Sequence, residues 1–184
     1  MTLKRFIDVI GSALALLLLL PVMAIIALLV RIHLGQPIFF RQQRPGRHGK
    51  PFELIKFRTM RIEPGRDNDI GSDADRLTRL GRFLRSTSLD ELPGLWNVLR
   101  GEMSLVGPRP CLQYEWECYD EWHRRRLQDL PGCTGLWQAL GRSTVSFEEM
   151  VVLDLYYLSN VSLWLDLKIV LRTLPVILFG RGAF

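Results

Sequence analysis

The sequence predicts an α+β fold, mainly helical, built from an N-terminal membrane helix, one small β-hairpin and amphipathic helices that lie at an interface. Three observations predict it. Residues 13–30 are apolar and carry no charge, residues 38–58 hold two aromatic-rich runs about a Pro/Gly turn, and residues 76–85, 113–129, 146–158 and 161–179 read as helices. At 184 residues the chain is long enough for one cored domain and short for two. Residues 1–34 therefore read as the membrane-associated part and residues 35–184 as a domain ending in an interfacial helix, the two forming one unit.

The apolar run comes first in the chain. Residues 13–30 are near the lower length limit for spanning a hydrocarbon core of about 30 Å. No small-x-small site follows promptly, which argues against a cleaved signal peptide. Lys4 and Arg5 precede the run and Arg31 follows it. Cations are retained on the cytoplasmic side, so charge at both ends favours keeping both ends there. Pro21 near the middle lacks the N–H for the helical ladder. A re-entrant helix kinked at Pro21 satisfies both facts, and a spanning anchor remains the alternative on length alone.

Residues 38–44 and 52–58 flank Pro45-Gly46-Arg47-His48-Gly49-Lys50, the pattern of a β-hairpin with a longer turn. Phe52, Leu54, Lys56 and Arg58 share one face of the second strand by its two-residue period. Lys56 thus points with apolar neighbours, which marks a site rather than open solvent. Residues 63–75 read as a polar surface loop, and residues 76–85 as a short basic helix. Residues 113–129 and 146–158 read as two further helices, the first ended by Pro131-Gly132. Residues 161–179 are apolar but broken by Asp166, Lys168 and Arg172, with Trp164 near the start. Such charges are costly at a bilayer centre and suit a helix in the headgroup plane; a buried core helix is the alternative.

The net charge is +5, and its placement says more than its size. Arg41, Arg44, Arg47, Lys50, Lys56 and Arg58 are opposed only by Glu53 within their stretch. Such a patch serves phosphorylated ligands, anionic headgroups or nucleic acid, and it can equally be a solvated face. Cys111, Cys118 and Cys133 form no C-x-x-C, and His33, His48 and His123 have no metal-ligand spacing. No G-x-S-x-G occurs.

Residues 85–110 are the richest stretch. Ser88-Leu89-Asp90-Glu91 matches the S-x-x-E capping box, which sets two adjacent carboxylates in a first helical turn. Pro93, which prefers the first helical position, offers a second register. Either way the pair sits at a helix start, where free N–H groups favour negative charge. Arg85 lies on one side and the rigid Pro108-Arg109-Pro110 unit on the other. Carboxylates between arginines point to chemistry on a phosphate; a plain helix cap is the simpler account of the four-residue motif alone.

The longer pattern resembles the bacterial sugar transferases known as monotopic phosphoglycosyl transferases, or polyprenyl-phosphate sugar-phosphate transferases, in their short catalytic-domain form. The matching blocks run in order: Phe39-Phe40-Arg41-Gln42, Lys56-Phe57-Arg58-Thr59-Met60, residues 87–93, Leu95-Trp96-Asn97-Val98-Leu99, residues 103–110, Thr134-Gly135-Leu136-Trp137-Gln138, Gly141-Arg142, and Asp154 with Tyr156-Tyr157. The resemblance implies transfer of a phosphosugar from a UDP-sugar to polyprenyl (undecaprenyl) phosphate with release of UMP, the first membrane step of polysaccharide or glycoconjugate synthesis. It implies Asp90 as the nucleophile of a covalent aspartyl-phosphosugar intermediate and Glu91, with Asp90, as holder of Mg²⁺. It places Lys56, Arg85, Arg109 and Arg142 about the diphosphate, and Asp154 at an acidic position in the substrate site without a defined role. It implies the cytoplasmic face of the bacterial inner membrane, with membrane lipids as partners and no nucleic acid. A homo-oligomer is compatible with the sequence, which does not define the oligomeric state, the sugar or the pathway. The chain departs from the family pattern at Leu20-Pro21, where Ser-Pro is usual, at Gly94 and at Leu140. A catalytically silent membrane scaffold, or a membrane-tethered nucleic-acid binder using the basic hairpin, are the rival readings, and both leave the Asp90–Glu91 pair without a task.

Overall fold

The computed structural model describes residues 3–62, 73–140 and 145–179. Helix α1 (Leu3–Leu34) has 32 residues and is long and apolar enough to cross a membrane. Pro21 lies inside it and the helical backbone continues on both sides. A kink at Pro21 is compatible with an unbroken helical assignment, since proline bends a helix through its missing N–H and its clash with the carbonyl four residues back. Both ends of α1 rest on the rest of the chain. Near its start, Asp8 is buried and accepts hydrogen bonds from the Ser104 hydroxyl at 2.8 Å and the Leu105 N–H at 3.1 Å. Near its end, Ile26 and Val30 pack with Phe57 and Leu84. Between them Leu14, Leu17, Leu18 and Leu20 stand exposed.

The hairpin forms as the sequence indicates. Strand β1 (Phe39–Pro45) pairs antiparallel with β2 (Pro51–Phe57), with Phe39 opposite Phe57 and Pro45 opposite Pro51. One face of β2 buries Phe52 and Leu54 against Val98 and Met103, while Phe57 on the other face meets α1. Just past β2, the buried Arg58 donates to the carbonyls of Leu34, Gly35 and Gln36 and so caps the end of α1.

A short helix α2 (Asp73–Arg76) stands where the end of the loop over residues 63–75 is expected, and helix α3 (Arg79–Ser86) forms most of the basic helix expected over residues 76–85. Thr78 divides them, because its hydroxyl accepts from the Gly81 N–H at 3.0 Å and starts α3 afresh. Of the loop expected over residues 63–75, residues 63–72 lie outside the described residues. A 3-10 segment, Leu89–Gly94, runs into α4 (Leu95–Arg100), and β3 (Ser104–Val106) follows.

The helix expected over residues 113–129 is divided into α5 (Gln113–Cys118), α6 (Glu121–Arg124) and a 3-10 turn, Arg125–Leu127. Tyr119 is extended there, and the Asp120 carboxylate accepts from the His123 N–H at 2.8 Å, so a new helix begins. Strand β4 (Gly132–Thr134) pairs parallel with β3. The backbones approach so closely that a Cβ on Gly132 would stand 2.1 Å from the Gly107 nitrogen, which only glycine permits. Helices α7 (Leu136–Leu140), α8 (Phe147–Ser159) and α9 (Leu163–Phe179) complete the chain.

Helix α9 covers most of residues 161–179, where a helix is expected, with one face buried and apolar side chains left on the other. Ile169 and Thr173 are buried, whereas Trp164, Leu167 and Leu171 are exposed. Asp166 is not a surface charge. It takes Lys4 Nζ at 2.6 Å and the Tyr157 hydroxyl at 2.6 Å, tying α9 to the first turn of α1.

Candidate active site

The carboxylate pair is positioned by the side of β2. Asn97, fully buried on α4, accepts from the Ile55 N–H at 3.2 Å and donates to the Glu53 carbonyl at 2.7 Å and to Glu102 Oε2 at 2.7 Å. An amide so engaged fixes α4, and the 3-10 segment before it, against the strand that carries Lys56. Lys56 Nζ then reaches Glu91 Oε1 at 2.7 Å. From the other direction Arg109, just beyond β3, places its guanidinium on the same carboxylate, at 2.6 Å to Oε1 and 3.3 Å to Oε2.

These contacts change how Ser88-Leu89-Asp90-Glu91 is understood. The expected capping box does not form: Ser88 has a left-handed backbone with φ 56 and makes no side-chain cap, and regular α-helix begins only at Leu95. Glu91 is instead drawn 35 and 18 residues away in sequence, to Lys56 and Arg109. Charge-assisted bonds of this kind outweigh one local cap bond. Asp90 and Glu91 still share the first turn of the 3-10 segment, with no helix of useful length beginning at them.

The two carboxylates are electrostatically unlike. Burial alone would raise the Glu91 pKa, but Arg109 and Lys56 override it and hold the group well below the ordinary range. Asp90 is buried, and no hydrogen bond to its carboxylate is found among the described residues. Burial and the Glu91 charge push it up to about 6, against the pull of Lys56, Arg85 and Arg109. Burial lowers Lys56, with Glu91 opposing, while Glu91 raises Arg109. A permanently ionised, clamped carboxylate thus adjoins one that is desolvated and unengaged. Neighbouring carboxyls whose environments push their pKa values apart are a pattern found at functional sites as well as in structural ion-pair networks.

The pair faces a cavity of about 1000 Å³, lined also by Lys56, Arg85, Arg109, Arg58, Arg61, Phe39, Phe40, Trp137 and Gln138. Arg85 Nε donates to the Thr59 hydroxyl at 3.1 Å, which aims its guanidinium along the wall. The cations on this wall exceed the two carboxylates, so the cavity suits a ligand with several negative charges. The basic stretch of the hairpin is divided: Arg41 and Arg44 line the cavity, whereas Arg47 turns away to the Gln128 carbonyl and Asp129.

Of the residues singled out in the sequence, Asp90, Glu91, Lys56, Arg85 and Arg109 come together here. Arg142 lies outside the described residues. Asp154 is elsewhere, almost wholly buried on α8, where its Oδ2 accepts from Arg126 Nε at 3.0 Å and Arg126 NH2 at 2.5 Å. Burial pushes Asp154 up to about 6, with Arg126 opposing. Arg126 also donates to the Arg109 carbonyl at 3.5 Å and to the Tyr119 hydroxyl at 3.1 Å. The acidic position thus supports the backbone behind Arg109 rather than lining the cavity. Sequence reasoning missed Arg126 and Asp8 and gave Asn97, quoted only within a motif, no role; each has its main partners distant in the chain.

No group of three or more His, Cys, Asp or Glu that could hold a metal occurs among the described residues. Mg²⁺ needs fewer protein ligands, since it keeps waters and takes substrate phosphate oxygens beside one or two carboxylates. Asp90, and Glu91 Oε2 with its single 3.3 Å contact, retain the lone pairs for that role.

A sequence model of the family described as bacterial sugar transferase matches residues 1–180. The chain is 43% identical over 182 residues to an uncharacterized sugar transferase, EpsL, of Bacillus subtilis, covering 99% of this chain and 90% of that protein. It is 42% identical to the UDP-glucose:undecaprenyl-phosphate glucose-1-phosphate transferase of Caulobacter vibrioides, over 98% of this chain and 72% of the relative. It is 40% identical to the undecaprenyl-phosphate galactose phosphotransferase of Salmonella typhimurium, over 99% of this chain but only 42% of that longer protein.

Proposed function

This chain belongs to the bacterial sugar transferase family, and we propose that it transfers a sugar phosphate from a UDP-sugar to polyprenyl (undecaprenyl) phosphate. The observation that carries this reading is the buried, unengaged Asp90 carboxylate beside a Glu91 clamped by Lys56 and Arg109, all facing one cation-rich cavity.

In the first step an Asp90 carboxylate oxygen attacks the β-phosphorus of the UDP-sugar. The new Asp90 O–P bond forms as the bond from that phosphorus to the bridging oxygen breaks, and UMP leaves with the bridging oxygen. In the second step a phosphate oxygen of the polyprenyl phosphate attacks the same phosphorus, and Asp90 departs as carboxylate. The product is a polyprenyl diphosphate sugar. Splitting one transfer into two through an acyl phosphate is nucleophilic catalysis.

Arg109, Lys56 and Arg85 stabilise charge on the phosphoryl oxygens, and Glu91 holds the first two of these in place. Phosphoryl transfer depends chiefly on such positioning and electrostatics. Mg²⁺ held by Glu91 and Asp90, when bound, supplies neutralisation of the diphosphate charge. Burial of Asp90 leaves its ionised form poorly solvated, which favours attack above its raised pKa.

The site is proposed to work at the cytoplasmic face of the bacterial inner membrane. Helix α1 would enter the bilayer with its exposed middle while both ends stay on the domain, and α9 would lie in the headgroup plane with Trp164, Leu167 and Leu171 outward. Residues 1–34 and 35–184 then act as one unit, bringing a soluble nucleotide sugar and a lipid phosphate to one cavity. The experiment is release of UMP by the purified chain with Mg²⁺, polyprenyl phosphate and a panel of UDP-sugars. Asp90→Asn should abolish it; turnover unchanged in that variant refutes the assigned nucleophile.

A further inference from the structure

Two residues that line the cavity carry polar atoms that the proposed chemistry leaves unused. Gln138, 6% exposed, and Trp137 sit side by side on α7, and both line the cavity that holds Asp90 and Arg109. Gln138 Oε1 and Trp137 Nε1 are buried without a hydrogen-bond partner among the described residues. A buried polar group is nearly always paired, and leaving one unpaired is costly. Here an acceptor and a donor are orphaned on consecutive residues, both of which contribute to the lining of the same cavity.

The pairing requirement narrows what can satisfy them. Indole Nε1–H only donates and the glutamine carbonyl only accepts, so the matching ligand must both accept and donate. An ionised polyprenyl phosphate has acceptors and a hydrocarbon tail but no donor to offer Gln138 Oε1. A UDP-sugar has both, in two places: the uracil imide, with its N–H between two carbonyls, and the hydroxyls of the sugars. We propose that Trp137 Nε1 and Gln138 Oε1 each hydrogen-bond the nucleotide sugar, one to an acceptor and the other to a donor, and help select the donor substrate. The proposal rests on the reading that the cavity accepts a UDP-sugar.

The test uses the full chain in lipid nanodiscs with two variants. Trp137→Phe keeps an aromatic ring and removes the N–H; Gln138→Met keeps much of the side-chain length and removes the amide. Affinity for UMP and for several UDP-hexoses is measured by calorimetry, beside KM for polyprenyl phosphate and the melting temperature. The expected result is binding of UDP-hexose weakened about tenfold or more, since a site built to bond a polar group discriminates strongly when that bond is lost, with KM for polyprenyl phosphate unchanged. Weakening shared by UMP assigns the contact to the nucleoside, and weakening confined to UDP-hexoses assigns it to the hexose. Wild-type affinity for all these ligands overturns the proposal, even if the melting temperature falls, because a group serving only packing would do that. Should Gln138→Met not fold, the milder Trp137→Phe decides alone. Failure of the wild-type chain to bind UMP or any UDP-sugar would instead overturn the functional reading beneath it.

Discussion

Replacing Asp90 by Asn should destroy activity and stabilise the protein, and the second effect can be worked from the structure. Asp90 is buried beside the Glu91 charge, and its carboxyl is raised from 3.8 to about 6. A group raised on folding binds its proton more tightly in the folded state, so stability is greatest below the unfolded pKa and is lost as pH rises through the folded one. At pH 7.5 ionised Asp90 therefore costs about 3 kcal/mol, and at pH 4.5 about 1 kcal/mol. Asn removes the charge, so Asp90→Asn should gain about that much at pH 7.5 and much less at pH 4.5. For a chain of this size the neutral-pH gain corresponds to a rise in melting temperature of about 6–12 °C. The assay is thermal unfolding of both proteins in chelator, to exclude divalent cations, at the two pH values. An Asn variant no more stable than wild type at pH 7.5, or a gain that does not shrink at pH 4.5, refutes the strained carboxylate. A stable variant that still releases UMP refutes the nucleophile and leaves the strain standing.

Three other perturbations follow from the same geometry. The rate of UMP release at low substrate should fall about tenfold per pH unit below about 6, because Asp90 must be ionised to attack while Glu91 stays ionised throughout; a pH–rate profile flat down to pH 4.5 would contradict this. Asn97→Ala leaves the Ile55 N–H and Glu53 carbonyl without partners and should cost about 2–4 kcal/mol, read by denaturant unfolding. Asp154→Asn strips the buried Arg126 of its counter-charge and should cost about 3–5 kcal/mol; a loss below about 1 kcal/mol in the same unfolding assay would show that Arg126 is held by other partners.

The parts of this structure visible in the sequence are those whose cause is local. The hairpin follows from Pro45-Gly46 and the aromatic runs on either side, and the amphipathic face of α9 follows from its spacing. Lys56 was legible because it shares a strand face with Phe52 and Leu54. Misreadings arose where a distant partner overrode a local preference. Ser88 and Glu91 satisfy a capping pattern, yet two cations from other elements take the glutamate. The break at Tyr119–Asp120 hides within helical periodicity, because one capping aspartate decides it. Strands β3 and β4 have three residues each, too few to show an alternation. Asp154 stood out by resemblance alone, and its purpose became visible only with Arg126 packed against it, 28 residues away.

The bond between Lys4 and Asp166 joins residues 162 positions apart. During synthesis at about 5–20 residues per second, roughly 8–30 s pass between the appearance of one partner and the other. For most of that interval the apolar α1 has been made, while Asp166 and, over more than half of it, Ser104 are not yet available to its polar first turns. The earliest segment to meet the bilayer is thus among the last to be secured. If α1 enters a bilayer as proposed, its insertion precedes this clasp, so the order of translation, and not only the final energy, bears on how the chain reaches the membrane.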